Sequence, residues 1–255
     1  MVPVPDSPPG RPEEARSVRL VFLLHGILLN RWFLEPMAAH LNRRGFRVVN
    51  RSYPSTRRTI EEHAEHLSRL VDAEVGRVPS GVRAEINFVT HSMGGLVVRY
   101  LLTHRQVPNV RRFVLLVPPN NGSRKARQFG GTLLYRAIWG RHSGAQLASE
   151  PPGIFVACGI PEGVEMGILA GVAGSVFTFP TRKLTGRHDG VVALEEACLP
   201  GIPFKAVPYG HTTILFRRGA MEEVAHFLEH GRFLPSKEEE KSYGENPRKT
   251  FSRAE

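Results

Sequence analysis

The amino-acid sequence predicts an α/β fold: a mostly parallel central sheet of about six strands with helices on both faces and a small lid or none. Three observations predict it. Short β-rich apolar runs alternate with segments of helical periodicity from Val18 to His230, the pattern of strands joined by crossover helices. The first run, Val18-Arg-Leu-Val-Phe-Leu-Leu24, is nearly continuous, as expected for a strand buried on both faces. And a chain of 255 residues, 41% of them hydrophobic, suits one mid-sized domain with a substantial core.

Taken in order, residues 1–16 are rich in proline and charge and read as a disordered segment. After the first strand, a helix around Trp32 to Arg44 carries Phe33, Met37, Ala38 and Leu41 at helical spacing and stops at Gly45. Phe46 to Asn50 reads as the next strand. Thr59 to Val75 is the clearest helix: Thr59 caps it, Glu62 completes a capping box, and Ile60, Ala64, Leu67, Leu70 and Val71 form its apolar stripe. A strand from Ala84 to Thr90, a helix beginning near Ser92 and a strand from Arg112 to Val117 follow. Val164 to Ala170 and Pro203 to Pro208 are later strands, and Met221 to His230 is a closing helix with Val224, Phe227 and Leu228 inward. Gly, Ser and Pro interrupt residues 120–161, so only short helices fit there, as a small lid or excursion. The domain is expected to span 17–234, and the polar, charged stretch 235–255 to be a disordered tail.

Composition narrows the function classes. The N-terminus has no apolar h-region, and no apolar run approaches the roughly 18–20 residues that cross a bilayer. The expectation is a soluble, cytoplasmic protein. The cysteines Cys158 and Cys198 form no CxxC or zinc spacing and read as ordinary buried thiols, although a disulfide between them stays open. The net charge of +10 belongs to the domain, because the tail from Lys237 balances its own charges. Zinc-finger spacing, RNP aromatics and basic heptad helices are all missing, which argues against a nucleic-acid partner. Arg57, Arg58, Arg124, Lys125, Arg127, Arg182, Lys183 and Arg187 fall in or near loops after strands, which gather at the carboxyl edge of an open sheet. They form either a rim for peripheral contact with an anionic membrane or phospholipid headgroup, or a solubilising surface; the second is the simpler reading.

Asn87-Phe-Val-Thr-His-Ser-Met-Gly-Gly95 carries the strongest chemical signal. A strand enters it and a helix leaves it, the setting of a sharp turn that exposes a nucleophilic serine at a helix N-terminus. Gly94 gives that turn room, whereas Thr90 stands where the common pattern has glycine. Phe22-Leu-Leu-His-Gly-Ile27 ends the first strand. An oxyanion hole needs one N–H after the nucleophile and one from another strand-to-helix loop, which nominates Met93 and Ile27. Of 11 histidines, His211 in Tyr209-Gly-His-Thr follows the last strand and precedes the closing helix, and is the candidate base. His91 adjoins the serine but is expected to point elsewhere. His63 and His66 are expected on a solvated helix face rather than at a metal. Asp189 in His188-Asp-Gly-Val-Val is the candidate acid that orients His211, with Glu195 and Glu165 as poorer substitutes, and an ordinary Asp-Gly turn is the competing reading.

The segments LLHGI, NRSYPST, THSMGG, VPPNNGS, HDGVV and PYGHT resemble, in that order, segments of bacterial lipase- and esterase-like α/β-hydrolases, from about Val18 to Phe233. VPPNNGS departs from the "TPNxGS" more usual in that family. The resemblance implies a serine hydrolase acting on carboxylic esters, lipid-like or other acyl esters, through Ser92, His211 and Asp189. Met93 and Ile27 would be its oxyanion donors, and no metal or cofactor is implied. A non-catalytic binding protein of the same fold, or an acyltransferase or thioesterase using the same residues, are the alternatives.

Overall fold

The computed structural model describes residues 17–150, 153–174 and 186–235. The segment 1–16, the tail beyond Pro235, Arg182 and Lys183 lie outside them. Among the described residues the strands are β1 (Ser17–Leu24), β2 (Arg47–Asn50), β3 (Arg83–His91), β4 (Val110–Leu116), β5 (Glu165–Gly171) and β6 (Phe204–Val207). They form one parallel sheet in the order β2-β1-β3-β4-β5-β6. The principal helices are α1 (Glu35–Arg43), α2 (Ile60–Val75), α3 (Gly94–His104) and α9 (Arg218–His230), with a short α8 (Leu194–Ala197) between β5 and β6.

The alternation of side chains along β1 explains why both faces are covered. Leu20, Phe22 and Leu24 join Ile86 and Phe88 in a core beneath α2 and α3, while Val21 and Leu23 join Val89 in a second core beneath α1 and α9. A strand whose side chains all enter one core or the other must be apolar throughout.

The expected elements appear with local differences. The helix around Trp32 is two pieces: a 3₁₀ turn, Arg31–Leu34, capped by Asn30, and α1, which carries Pro36 in its first turn. Proline lacks the N–H that a continuous helix would need there, so the α-helical ladder begins with it. In α2 the capping box forms as expected, with the Thr59 hydroxyl and Glu62 carboxylate each accepting the other's backbone N–H. His63, expected in solvent, is instead buried and meets the Tyr53 ring edge-on at 4.8 Å. It sits three residues after Ile60, on the same stripe as Ala64, Leu67 and Val71, and so turns inward. His66 is exposed.

Between β4 and β5 the chain makes an excursion of short helices: α4 (Arg124–Gly130), α5 (Leu133–Trp139), α6 (Ser143–Leu147) and α7 (Gly153–Ala157). Arg99 of α3 holds both ends of it, donating from Nε to the Gly159 carbonyl at 2.7 Å and from a guanidinium nitrogen to Asn120 Oδ1 at 3.0 Å. This buried cation is satisfied by carbonyl oxygens alone among the described residues. Cys158 is buried and free, and burial pushes its thiol up to about 12. Cys198 is free too, but only half-buried.

Candidate active site

The order of the sheet places the site. β1 has β2 on one side and β3 on the other, so the connections leave β1 and β3 toward opposite faces. The crevice at their carboxyl ends is the topological switch point where open α/β sheets bind ligands. Ser92 follows β3 and the His25–Ile27 loop follows β1, both at that crevice.

Ser92 is held at φ 52°, in the left-handed region that costs a non-glycine residue on the order of 1 kcal/mol or more. The strand and helix on either side enforce it. The Ser92 N–H donates to Leu116 O at 2.9 Å and its carbonyl accepts from Gly95 N at 2.9 Å. The turn is crowded. A Cβ on Gly94 would lie 2.8 Å from the Leu24 carbonyl oxygen, and one on Gly26 would lie 3.0 Å from Ser92 Cβ. Glycine at both positions lets the two loops meet; the third position of the common pattern accepts Thr90, fully buried beside Gly95.

The Ser92 Oγ lies 3.1 Å from His211 Nε2, and His211 Nδ1 lies 2.7 Å from Asp189 Oδ2. Three residues far apart in sequence thus form one hydrogen-bonded chain. Asp189 is buried, and its other oxygen, Oδ1, accepts the N–H groups of Val191 at 2.8 Å and Val192 at 2.7 Å. The Asp-Gly turn and the contact to His211 therefore coexist: one carboxylate oxygen makes the turn and the other faces the imidazole. With Oδ2 accepting, Nδ1 carries the proton and Nε2 faces Ser92 as the acceptor. Glu165 pairs with Arg112 at the start of β5, and Glu195 pairs with Arg124; neither lies within hydrogen-bond reach of His211.

The N–H groups of Ile27 and Met93 donate to no acceptor among the described residues. Gly26, which comes so close to Ser92, joins Ile27 to that loop, and Met93 follows the serine directly.

A family model described as "alpha/beta hydrolase fold" matches residues 19–137. Phospholipase PlaB from Legionella pneumophila superposes with a TM-score of 0.69 at 15% identity, over 84% of this chain and 60% of that one. The Bacillus licheniformis lipase BlEst2 in its mature form superposes with a TM-score of 0.61 at 20% identity, over 89% of this chain and 96% of the lipase. The metagenomic carboxyl esterase MGS0156 gives 0.59 at 20% identity, over 84% and 71%. The chain has the α/β-hydrolase fold. It spans 60% of the length of PlaB. No match is found among curated protein sequences.

The fold surrounds the Ser92–His211–Asp189 chain with residues whose contacts the motifs do not reveal. His91 is the first. Its ring lies 4.9 Å from that of His211, and its Nε2 donates to the His211 carbonyl at 2.8 Å. It therefore points toward the histidine loop, a contact between distant segments that the local turn does not reveal. Burial pushes its pKa down to about 3, so it stays neutral at physiological pH. His25 is the second: Nδ1 donates to Gly26 O at 2.9 Å, Nε2 accepts the Tyr53 N–H at 3.2 Å, and the Tyr53 hydroxyl donates to His25 O at 2.6 Å. Ser55 is the third, accepting the Leu28 N–H at 3.1 Å while its carbonyl accepts the Ser143 hydroxyl. Leu28 itself has φ 63°, so this hydrogen bond holds a strained residue next to Ile27. On the opposite side, Lys125 Nζ donates to the Gly190 carbonyl at 2.8 Å and fastens α4 to the Asp189 loop.

Of the basic residues expected at the rim, Arg124 is paired with Glu195 and Glu196, and Arg127 with Glu150. With Lys125 engaged on Gly190, those three are tied down rather than presented. Arg57, Arg58 and Arg187 are exposed. Among the described residues no helix is long and apolar enough to cross a membrane.

Proposed function

We propose that this protein is a serine hydrolase that cleaves carboxylic esters, lipid-like or other acyl esters, through an acyl-enzyme on Ser92. The observation that carries the reading is the unbroken Ser92–His211–Asp189 hydrogen-bonded chain ending on a serine with positive φ at the switch point of the sheet. His211 Nε2 takes the Ser92 proton as Oγ attacks the ester carbonyl, and Asp189 stabilises the imidazolium that forms. The N–H groups of Met93 and Ile27 receive the oxyanion, each such donor being worth about 10²–10³ in rate. His211 then gives its proton to the departing alcohol, and water releases the acid by the same steps in reverse. The lipase, esterase and phospholipase among the structural neighbours are consistent with an ester substrate.

The test is hydrolysis of p-nitrophenyl butyrate and a longer-chain ester by the wild type and by Ser92→Ala. Turnover that falls at least about 10⁴-fold in the variant is expected, with a fluorophosphonate probe labelling only the wild type. A wild type that hydrolyses no ester and takes no label would leave a binding protein of the same fold. Product analysis with an acceptor alcohol separates hydrolysis from acyl transfer, since the same groups serve both.

A further inference from the structure

The short helix α5 presents an apolar face to solvent. Leu133 is 85% exposed, Leu134 66% and Ile138 48%. At about 100° per residue, positions 133, 134, 137 and 138 share one side of the helix, and Ala137 adds no polarity to it. The opposite side seats the helix: Tyr135 is buried, stacks on Trp139 at 5.6 Å and donates its hydroxyl to Gly144 O at 3.1 Å. The exposed leucines are thus displayed by a helix anchored through its other face.

Four arginines surround the C-terminal end of this face. Arg136 lies within α5 and Arg141 just beyond it. Arg57 and Arg58 are brought alongside because the Ser143 N–H donates to Arg58 O at 3.1 Å and a Cβ on Gly140 would lie 2.2 Å from Thr56 O. All four are exposed, and none has a carboxylate partner among the described residues. The same contacts tie the patch to the site, since Ser55 bonds both Ser143 and Leu28, itself 44% exposed beside Ile27.

We propose that α5 and these four arginines form a docking surface for an anionic phospholipid bilayer. An apolar face rimmed by unpaired cations matches a leaflet that offers hydrocarbon below and negative charge at its surface. A soluble apolar ligand would not require the cations, and a second copy of this chain, carrying the same positive rim, would meet it with like charge. The surface would bring the crevice at Ser92 to the lipid, so its biological use rests on the ester-hydrolase reading, but binding can be measured without catalysis.

The experiment is co-sedimentation of the full chain carrying Ser92→Ala with vesicles of phosphatidylcholine alone or mixed with phosphatidylglycerol, at physiological salt. Binding to the mixed vesicles only is expected. Arg57→Gln with Arg58→Gln should lower it at least tenfold, since each arginine near an anionic surface contributes roughly fivefold. The same charge removed at Arg83 and Arg111, at the amino ends of β3 and β4, should lower it far less. Leu133→Ser with Leu134→Ser should abolish it while leaving the circular dichroism spectrum unchanged, as both side chains are in solvent. Equal binding with and without phosphatidylglycerol, wild-type binding by the leucine variant, or an equal loss from the Arg83 and Arg111 variant would each overturn the proposal. So would a concentration-dependent dimer that Leu133→Ser dissolves. Because Ser92→Ala is used throughout, a chain that hydrolyses no ester can still pass or fail this test.

Discussion

Ser92 and the Asp189–His211 pair meet at one hydrogen bond but are held in different ways. Ser92 is fixed by its immediate neighbours: a strand on one side, a helix on the other, and two glycines whose missing Cβ atoms let β1 and β3 close on the turn. Asp189 and His211 lie on two loops, after β5 and β6, that hold each other. The His211 N–H donates to Asp189 O at 3.0 Å, Asp189 N–H to Val192 O at 3.1 Å, and the carboxylate spans both loops. One half of the site is a matter of local shape, and the other of hydrogen bonds between segments. Steric fixation tolerates changes of polarity, whereas a hydrogen-bonded fixation fails when one donor or acceptor is exchanged.

Asp189→Asn should break the comparison most sharply. An asparagine keeps one oxygen for the Val191 and Val192 N–H groups, so the turn and the fold should survive. Its amide nitrogen would then face His211 Nδ1 and force that nitrogen to accept. Nε2 would carry the proton and could no longer take one from Ser92. The expected loss in kcat is about 10⁴-fold, with a thermal midpoint within a few degrees of the wild type. A small loss of kcat would mean that Asp189 serves the turn alone.

The same contrast explains what was legible in the sequence. The strands, the principal helices and the turn at Ser92 depend on periodicity and on residues adjacent in the chain, and these were expected nearly where they stand. Thr59 and Glu62 show the limit of such accuracy: both partners of the capping box lie within four residues. His63 departs from its expected solvated place, and the contact of His91 is absent from the local motif, because their surroundings are not local. Tyr53 and its loop bury His63, and the His211 carbonyl, 120 positions away, orients His91. The residues behind the Ile27 loop, Tyr53, Ser55 and Ser143, have no spacing rule to mark them. Their hydrogen bonds run between β1, the β2–α2 connection and the excursion.

His91 belongs to both halves, adjoining Ser92 in the chain while donating to the His211 carbonyl. His91→Phe should fill the site yet leave that carbonyl without its donor, at a cost of about 1–3 kcal/mol. It should lower kcat about tenfold or more with little change in KM. His91→Gln, which keeps an N–H, should recover part of that loss. The variant also has a pH signature. In the folded protein the His91 pKa is about 3, below the 6.5 of the unfolded chain. As pH falls below 6.5 the unfolded state takes up this proton first, so stability is intact at neutral pH and erodes between 6.5 and 3. His91 alone should remove on the order of 2 kcal/mol by pH 5, and burial lowers His25 and His63 in the same direction. Urea melts at pH 7 and pH 5 should therefore differ less for His91→Phe than for the wild type. An equal difference would place the acid sensitivity elsewhere.

Thr90 supplies the smallest effect and the finest test of steric fixation. It occupies the place where the common pattern has glycine, and its hydroxyl is buried without a hydrogen-bond partner among the described residues. If the turn is held by shape, Thr90→Val removes an unsatisfied polar atom and keeps the volume. Stability should then change by less than about 1 kcal/mol, in the stabilising direction, and kcat for a dissolved ester by less than about twofold. Thr90→Gly restores the usual motif but leaves a void and frees the backbone of a buried strand. It should cost about 1–3 kcal/mol, although it moves the sequence toward the familiar pattern. If valine proved the more damaging of the two, the hydroxyl would have to act through a hydrogen bond, and the elbow would depend on hydrogen bonding as its histidine partner does.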